Sequence, residues 1–558
     1  MGFLSSLSHT PDFALFRRGH NKRPRSSDEE ERPAEPSEKQ AGAKTMSSSS
    51  AWPPSTPTTG ESPLTGGGKG GFLHISRFIP RRSNRVGQGS HDAAEDDDDQ
   101  DSDVERQRHG IFSSADNVEF ALGEVAALLP VTGAFVRHAE FLVDPAWGFA
   151  VGWNLVYGNL LSIPTELTAI CVFFQYWTDA VHPSVYILVF IALTTAVGFA
   201  YVRVFGEVEF AFALLKIALV VFLVVFGLVV DLGGVSGVPA LYFTYWADPG
   251  PFVEFVADGA WGRFLGYWSA MTGAVFSFAG VESIAMAGAE TRNPRKAIPA
   301  ACKNVFIRIV LFYMLSILIV GMLVASNNPD LDDSGSSVAK SPFVLAVAGA
   351  GIPAIPNLIN AIVITSAWSA SNQALLAGTR VLYGLALKRQ APRVFLRTTS
   401  WGVPWVCVLL FTLFMFLSFM TFSNDALTVF WWLVSLTSAG VLFSWISILM
   451  NHIRLRLAMQ KQAIPVSRLP WHNAWTLYTS WIGLVLCIVI LLTGGFAVFT
   501  KGRWNSMTFV SSYLDIPLVL GAYLIWKLIK GTRLVNLSQV PLHSAFEQAE
   551  QKYAALDS

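Results

Sequence analysis

A single acidic side chain, Glu282, interrupts one of the most apolar stretches of this chain. Residues 268–289 carry no other charge, and their length suits a helix that crosses the hydrocarbon core of a membrane. An ionisable residue in such a place is costly and usually functional. Gly280, two residues earlier, can adopt backbone angles that other residues cannot, and it leaves the main chain open to a ligand. The two residues predict a membrane-embedded site for a small polar solute, although Gly280 would also allow close helix packing.

Other ionisable side chains lie within or beside apolar stretches. Glu166 follows Pro164, and a proline frees a backbone carbonyl group inside a helix. Lys216 lies about two turns into its stretch, which is close enough for its amine to reach back to the membrane surface. Glu207 and Glu209 stand at the start of the same stretch, where acids favour the helix dipole.

A polar patch formed by Ser369, Ser371 and Asn372 lies within a further apolar stretch. Such residues join membrane helices by hydrogen bonds or contact a polar solute, and both interpretations stay open. Glu282 likewise allows several roles: it would pair with an ammonium group, carry a proton, or remain a neutral, hydrogen-bonded part of the fold.

The composition indicates a membrane protein. Hydrophobic residues make up 52% of the chain and charged residues 14%, whereas soluble domains carry roughly 25% charge. The formal net charge of zero argues against a nucleic-acid partner. The four cysteines have no paired spacing, and the sequence contains no nucleophile constellation, phosphate-binding glycine loop or metal-ligand cluster. We therefore expect neither an enzyme nor a cofactor or metal site.

The chain divides near residue 115. Residues 1–115 are rich in Ser, Pro, Gly and charge, which predicts a disordered tail, and they contain no apolar segment typical of a signal peptide. Residues 116–534 form the predicted transmembrane domain, and residues 535–558 a C-terminal tail. We expect ten membrane spans, near residues 148–174, 185–202, 210–230, 268–289, 306–325, 353–378, 404–422, 427–450, 475–499 and 508–528.

Loop charges orient these spans. Lys and Arg are concentrated in alternate loops and in the C-terminal tail, including the basic loop expected at 452–456, whereas the intervening loops are richer in acids. The positive-inside bias then places both termini in the cytoplasm. The apolar segment 118–130 is too short for a full span and carries Glu119 and Glu124, so we expect half a helix there.

Short sequences along residues 119–540 follow the order typical of one family. They resemble the yeast amino acid transporter family of fungal amino acid permeases, in the amino acid-polyamine-organocation superfamily. Each piece is weak alone, but their combination is specific. The matching pieces are residues 121–135, 152–154, 164–167, 205–210, 290–296, 369–372 and 431–456.

The resemblance implies an all-α polytopic membrane protein with a leucine-transporter-like fold. In this family two inverted five-helix repeats make up the first ten of twelve helices, and the first and sixth helices are broken at the substrate site. Residues 268–289 would be the sixth helix. The glycine-rich first helix has no counterpart before residue 118, so we expect about ten full spans plus one partial span, with the first helix missing.

The resemblance also implies where a substrate would bind. An amino acid is a zwitterion, and the freed N–H and C=O groups of a broken helix bind both of its charged ends. Lys216 would stand where sodium-coupled relatives bind a cation, so a proton would do the work of that ion, and Glu166 would face the central cavity. The expected substrate-binding residues are Phe278, Ala279, Gly280, Val281, Glu282, Ser369 and Asn372, and the expected proton-coupling residues are Glu166, Lys216 and Glu282.

These inferences predict a proton-coupled amino acid symporter of the plasma membrane that works by alternating access. Its partners would be an amino acid, protons and the lipid bilayer. Two alternatives stay open: an amino acid sensor of the same fold, and a non-transporting product of a truncated or misassigned gene model. The choice of amino acid and the oligomeric state do not follow from the sequence.

Overall fold

Helices account for the regular structure of the chain, and no strand occurs among the described residues. The computed structural model describes residues 117–131, 133–178, 180–199, 202–282, 294–328, 331, 341–349, 351–352, 354–473 and 475–557. Each helix satisfies its own backbone polar groups, which a chain inside a bilayer requires. The architecture is that of an all-α polytopic membrane protein, as predicted. The predicted tail, residues 1–115, lies outside the described residues.

Seventeen α-helices follow one another among the described residues. In chain order they are α1 (117–128), α2 (Ala134–Leu142), α3 (Pro145–Gln175), α4 (Pro183–Phe199), α5 (Val202–Asp231), α6 (Thr244–Ala247), α7 (Gly259–Ser277), α8 (Pro294–Ile309), α9 (Leu315–Leu323), α10 (Pro342–Ala348), α11 (Ala354–Leu387), α12 (Trp405–Met415), α13 (Ala426–Lys461), α14 (Thr476–Thr493), α15 (Ser506–Tyr513), α16 (Asp515–Lys530) and α17 (Leu542–Asp557). A π-helical turn, Val310–Met314, joins α8 to α9, and a 3-10 segment, Phe416–Phe422, extends α12.

All ten predicted spans overlap helices. Six helices among the described residues are long and apolar enough to cross a membrane, and the pair α15 and α16, bent by 44°, makes a seventh if it is counted as one span. The other three predicted spans correspond to α4, α7 and α11. Of these, α4 has only 17 residues, which makes it shorter than a simple span, and α7 ends at Ser277, within the predicted span 268–289.

The central helix of the bundle is α3, which packs against α11, α13 and α16. Asp144 caps its first turn by accepting a hydrogen bond from the N–H of Ala146 at 2.9 Å. Close approach between helices depends on glycine: a Cβ at Gly378 of α11 would lie 2.3 Å from Phe411. Such contacts matter because lipid is as apolar as the helices, so packing rather than water exclusion holds them together.

The predicted basic loop at 452–456 is wrong, because α13 continues as a helix to Lys461. Within it, Arg456 is buried and donates to Glu124 of α1, with Nε 2.9 Å from Oε2 and Nη2 3.0 Å from Oε1. His452 contacts the same carboxylate at 2.7 Å and Ser480 of α14 at 2.9 Å. These two side chains therefore join α1 to α13 and α14, and their helical spacing of four residues places both on one face.

The C-terminal segment packs against the rest of the described chain. The N–H of Val535 donates to the carbonyl of Val143 at 2.9 Å, and Arg454 donates to the carbonyl groups of Leu142 and Val535. Phe546 of α17 is fully buried. Residues 535–557 are thus held by hydrogen bonds and packing against the transmembrane domain. Their cytoplasmic location stays a prediction.

Candidate functional site

The helix that carries Gly280 is interrupted. Regular α-helix ends at Ser277, and the N–H of Ala279 already bonds the carbonyl of Phe276 at 3.1 Å in a tighter turn. Gly280 has a φ of 100°, a left-handed conformation that favours glycine, and a Cβ added there would meet nothing within 4 Å. The glycine is therefore needed for its backbone angle and not for close packing. The predicted span extended to residue 289, but residues 283–293 lie outside the described ones.

Glu282 turns back onto this break. Its Oε2 atom accepts a hydrogen bond from the N–H of Gly280 at 3.2 Å, and the residue is only 8% exposed. A main-chain N–H freed from a helix needs an acceptor when water is scarce. The carboxylate supplies it, so the acid faces the broken main chain and not lipid. The neighbouring Phe278 and Val281 are buried as well.

Tyr313 packs beside the break. It was not among the site residues predicted from the sequence. Its hydroxyl group donates to the carbonyl of Ser277 at 3.0 Å, and its ring stacks on Phe278 with centroids 5.2 Å apart. Tyr313 belongs to the π-helical turn between α8 and α9, and such turns are frequent at functional sites. No sequence signal distinguishes a π-turn from an ordinary apolar helix.

A second polar cluster joins α5 to α11. The Nζ atom of Lys216 donates to Oγ of Ser369 at 2.7 Å and lies 3.4 Å from Oε1 of Glu209. Ser369 donates to the other oxygen of Glu209, and Gln373 donates to Oε1 at 2.6 Å. The ammonium group of Lys216 is thus held against the middle of α11, and not along α5 at a membrane surface.

Glu209 and Gln373 are the residues of this cluster that were not among the predicted site residues. We expected Glu209 at the start of a helix near residue 210, but α5 begins at Val202, so Glu209 lies about two turns inside the helix. It is 5% exposed, whereas Glu207 is exposed. A buried pair of opposite charges is costly to desolvate and persists where further hydrogen bonds support it, as Ser369 and Gln373 do here.

Two further predicted residues, Glu166 and Asn372, lie near the Lys216 cluster. Glu166 of α3 is half-buried and interacts electrostatically with Lys216. Asn372 is 5% exposed, and no described residue donates a hydrogen bond to its Oδ1 atom, so an acceptor is left open one turn beyond Ser369. The structure brings Lys216 and Ser369 into contact, but no hydrogen bond between described residues joins that cluster to residues 278–282. Among the described residues, no group of three His, Cys, Asp or Glu is arranged to hold a metal ion.

Comparison with known proteins identifies the family. The sequence model described as Amino acid permease matches residues 117–539. The dicarboxylic amino acid permease of Saccharomyces cerevisiae is 34% identical over 430 residues, which are 76% of this chain and 71% of that protein. The proline-specific permease of Emericella nidulans is 34% identical over 437 residues, 77% of this chain and 79% of the relative.

Among solved structures, a manganese transporter of Eremococcus coleocola aligns with 75% of this chain and 87% of its own, at 15% identity and a TM-score of 0.45. The assignment depends on the sequence relatives, since a structural similarity at this level adds no argument. The chain belongs to the amino acid permease family, and it is a multi-pass integral membrane protein that transports amino acids across a membrane.

Proposed function

We propose that the chain is a proton-coupled amino acid symporter of the plasma membrane that works by alternating access. The observation that carries the proposal is the largely buried cluster of Lys216, Glu209 and Ser369, which links α5 to α11 through two side chains of opposite charge and a hydroxyl group. The helix break at Gly280 also supports the proposal, because the main-chain N–H and C=O groups freed there can bind the two charged ends of an amino acid.

In this proposal the amino acid binds at residues 278–282. Glu282 now occupies the N–H of Gly280 with a carboxylate oxygen. The carboxylate of the substrate would take over that N–H, and Glu282 would then pair with the substrate's ammonium group or accept a proton. Phe278, Ala279 and Val281 complete the contact surface, and Tyr313 holds the end of α7 in place.

The proton would act on the link between α5 and α11. A proton that binds the carboxylate of Glu209 removes the negative partner of Lys216, and a proton that leaves Lys216 removes the positive partner of Glu209. Either step leaves a buried charge without its pair, which is strongly unfavourable. The two helices would then separate or change partners, and Glu166, which senses Lys216, would receive or release the next proton. Ser369 and Asn372 would contact the substrate from α11.

Uptake of radiolabelled amino acids into a permease-deficient fungal cell tests this proposal. We expect accumulation against a gradient in the native chain, with loss of accumulation after a protonophore. A competition panel of acidic, basic, neutral and imino acids would define the substrate class, because the relatives named for dicarboxylic amino acids, proline and basic amino acids are 34%, 34% and 32% identical to this chain.

The decisive variant is Lys216→Met, which keeps the length of the side chain and removes its charge. We expect exchange of labelled amino acid to continue while proton-driven accumulation is lost. Lys303→Met serves as the matched control, since Lys303 is exposed. Full accumulation in Lys216→Met would refute the role of this lysine, and binding without any uptake in the native chain would favour the sensor.

A further inference from the structure

Asp515 is a buried acid outside the site described above. It is the first residue of α16, directly after the 44° bend that separates α16 from α15, and its exposure is 0%. The helix packs against α3 and α13. The sequence places this acid within the apolar stretch 508–528, and neither the substrate site nor the Lys216 cluster uses it.

The carboxyl group of Asp515 has no hydrogen-bond donor. No described residue donates to either of its oxygens. The Oδ2 atom lies 3.3 Å from the point that a Cβ on Gly440 would occupy, and Oδ1 of Asn154 lies 3.5 Å from the same point. The Asn154 oxygen also has no donor among the described residues. Two hydrogen-bond acceptors, Oδ2 of Asp515 and Oδ1 of Asn154, therefore lie near the same point and both lack a donor.

The orientation of the Asn154 amide is fixed by its own hydrogen bond. Its Nδ2 atom donates to the carbonyl of Gly440 at 2.8 Å, and a flipped amide would bring two carbonyl oxygens together there. Its second N–H is directed at Oγ of Ser444, which lies 3.5 Å from Nδ2, so neither N–H group of Asn154 bonds Asp515. The Tyr157 phenol of α3 interacts with the carboxyl group of Asp515 without forming a hydrogen bond of good geometry. Tyr157 is the titratable group that acts on Asp515 among the described residues.

A charged carboxylate cannot stay buried without a partner, so it must take up a proton or a cation. One O–H group on Asp515 would neutralise the acid and could donate to the open oxygen of Asn154. A metal cation would need several more oxygen ligands. One main-chain candidate, the carbonyl of Gly440, already accepts from Asn154 and from Ser444 at 3.2 Å. The chemistry of the site therefore favours a proton.

We propose that Asp515 is a proton-binding residue separate from the substrate site, and that its proton holds the bent segment of α15 and α16 against α3 and α13. The proton sits on a carboxyl oxygen of Asp515 and is donated in a hydrogen bond to Asn154. When the proton leaves, the carboxylate becomes a buried charge, and this packing is weakened.

Infrared difference spectroscopy of the full chain in phospholipid bilayers tests the proposal directly. Subtracting the spectrum of Asp515→Asn from that of the native chain at neutral pH should leave the C=O band of a protonated carboxylic acid. In Asn154→Ala the band should remain but shift to a higher wavenumber, because its hydrogen-bond acceptor is gone. If Asp515→Asn does not fold, the shift between the native chain and Asn154→Ala still isolates this group.

A band of an ionised carboxylate in the same difference spectrum would overturn the proposal. Loss of the protonated band when Na⁺ or K⁺ replaces choline would also overturn it and would identify a cation site instead. In Tyr157→Phe the band should persist, and its disappearance would assign the proton to a group that depends on the phenol.

Thermal unfolding gives an independent readout. A proton bound only by the folded state stabilises less as pH rises, so the melting temperature of the native chain should fall toward alkaline pH. Asp515→Asn should show a smaller fall, whereas Asp258→Asn, a change at an exposed acid that makes no capping hydrogen bond, should leave the slope unchanged. Equal slopes in all three chains would contradict the proposal.

Discussion

The Nζ atom of Lys216 lies 2.7 Å from Oγ of Ser369, so a lysine of α5 and a serine of α11 are joined inside the helix bundle. Both side chains also contact Glu209. In the sequence, Lys216 and Ser369 are 153 positions apart, and nothing in their spacing predicts that they touch. In the fold they form one unit in which serine supports a buried pair of charges, and this unit is where we expect the proton to act.

Ser369→Ala removes the hydroxyl group that bonds both charges. Hydrogen bonds to charged groups contribute about 1.5–3 kcal/mol, so we expect proton-driven uptake to fall roughly tenfold or more. Ser371→Ala is the matched control on the same helix, because Oγ of Ser371 donates only to the carbonyl of Trp368, at 2.7 Å. Initial rates of labelled uptake measure both, and equal rates would argue that Ser369 only packs.

Gly280→Ala tests the break in α7. An alanine with a φ of 100° is strained by roughly 1–3 kcal/mol, although its Cβ would meet no neighbour. We expect uptake to drop about tenfold or more while the amount of protein at the membrane is unchanged. Gly384→Ala provides the comparison: it lies within α11, has open space around it and has no positive φ. Similar uptake in both variants would show that the left-handed turn is dispensable.

Glu282→Gln keeps the shape of the side chain and an oxygen for the N–H of Gly280. It removes the negative charge that would pair with an ammonium group. We expect the KM for the amino acid to rise roughly tenfold or more, since a charge-assisted hydrogen bond is lost. Glu254→Gln, at an exposed acid, should leave KM unchanged. A lower maximal rate with an unchanged KM would instead favour a role in proton transfer.

Asp144 gives the chain an acid-sensitive contact outside the membrane spans. Burial raises the pKa of its carboxyl group, but the hydrogen bond from Lys527 at 2.7 Å and that from the N–H of Ala146 outweigh it, so the pKa lies below its ordinary value. A group with a lowered folded pKa stabilises the fold above its unfolded pKa of about 3.9. This stability is lost as the pH falls through the folded value.

Lys527→Met should therefore lower the melting temperature at neutral pH and reduce its dependence on acid. Lys501→Met, at an exposed lysine, should change neither. Thermal unfolding followed by circular dichroism between neutral and acidic pH measures the effect. An unaltered acid limb in Lys527→Met would indicate that the Ala146 N–H alone holds the carboxylate.

Glu124→Gln should be the most destabilising of the changes considered. Glu124 is fully buried and accepts from Arg456 and from the N–H of Asn473 at 3.1 Å. Removing one partner of a buried ion pair leaves an uncompensated charge and costs about 3–5 kcal/mol. We expect little folded protein by fluorescence-detected gel filtration, whereas Glu550→Gln, at the more exposed pair with Arg468, should be folded normally.

The sequence alone determined the features that depend on local composition. Apolar length sets membrane spans because each must match the hydrocarbon thickness, and all ten predicted spans overlap helices. The sequence also singled out Gly280 and Glu282 as a candidate site, but the break of the helix there was implied by the resemblance to the family and not by the residues alone. The helix boundaries were less accurate: α5 begins at Val202 and α13 continues to Lys461, because polar residues remain helical when another helix supplies their partners.

Only the tertiary structure decided which distant side chains meet. The contact between Lys216 and Ser369, the contact between Tyr313 and Ser277, and the ion pair of Glu124 with Arg456 all join residues from different elements of the fold. An acid at a helix start and a buried acid of an ion pair look alike in a sequence, because local spacing carries no information about a neighbour supplied by another helix. Inside a bilayer, that neighbour determines whether an ionisable side chain has an ion-pair partner. An acid without such a partner is neutralised by a proton.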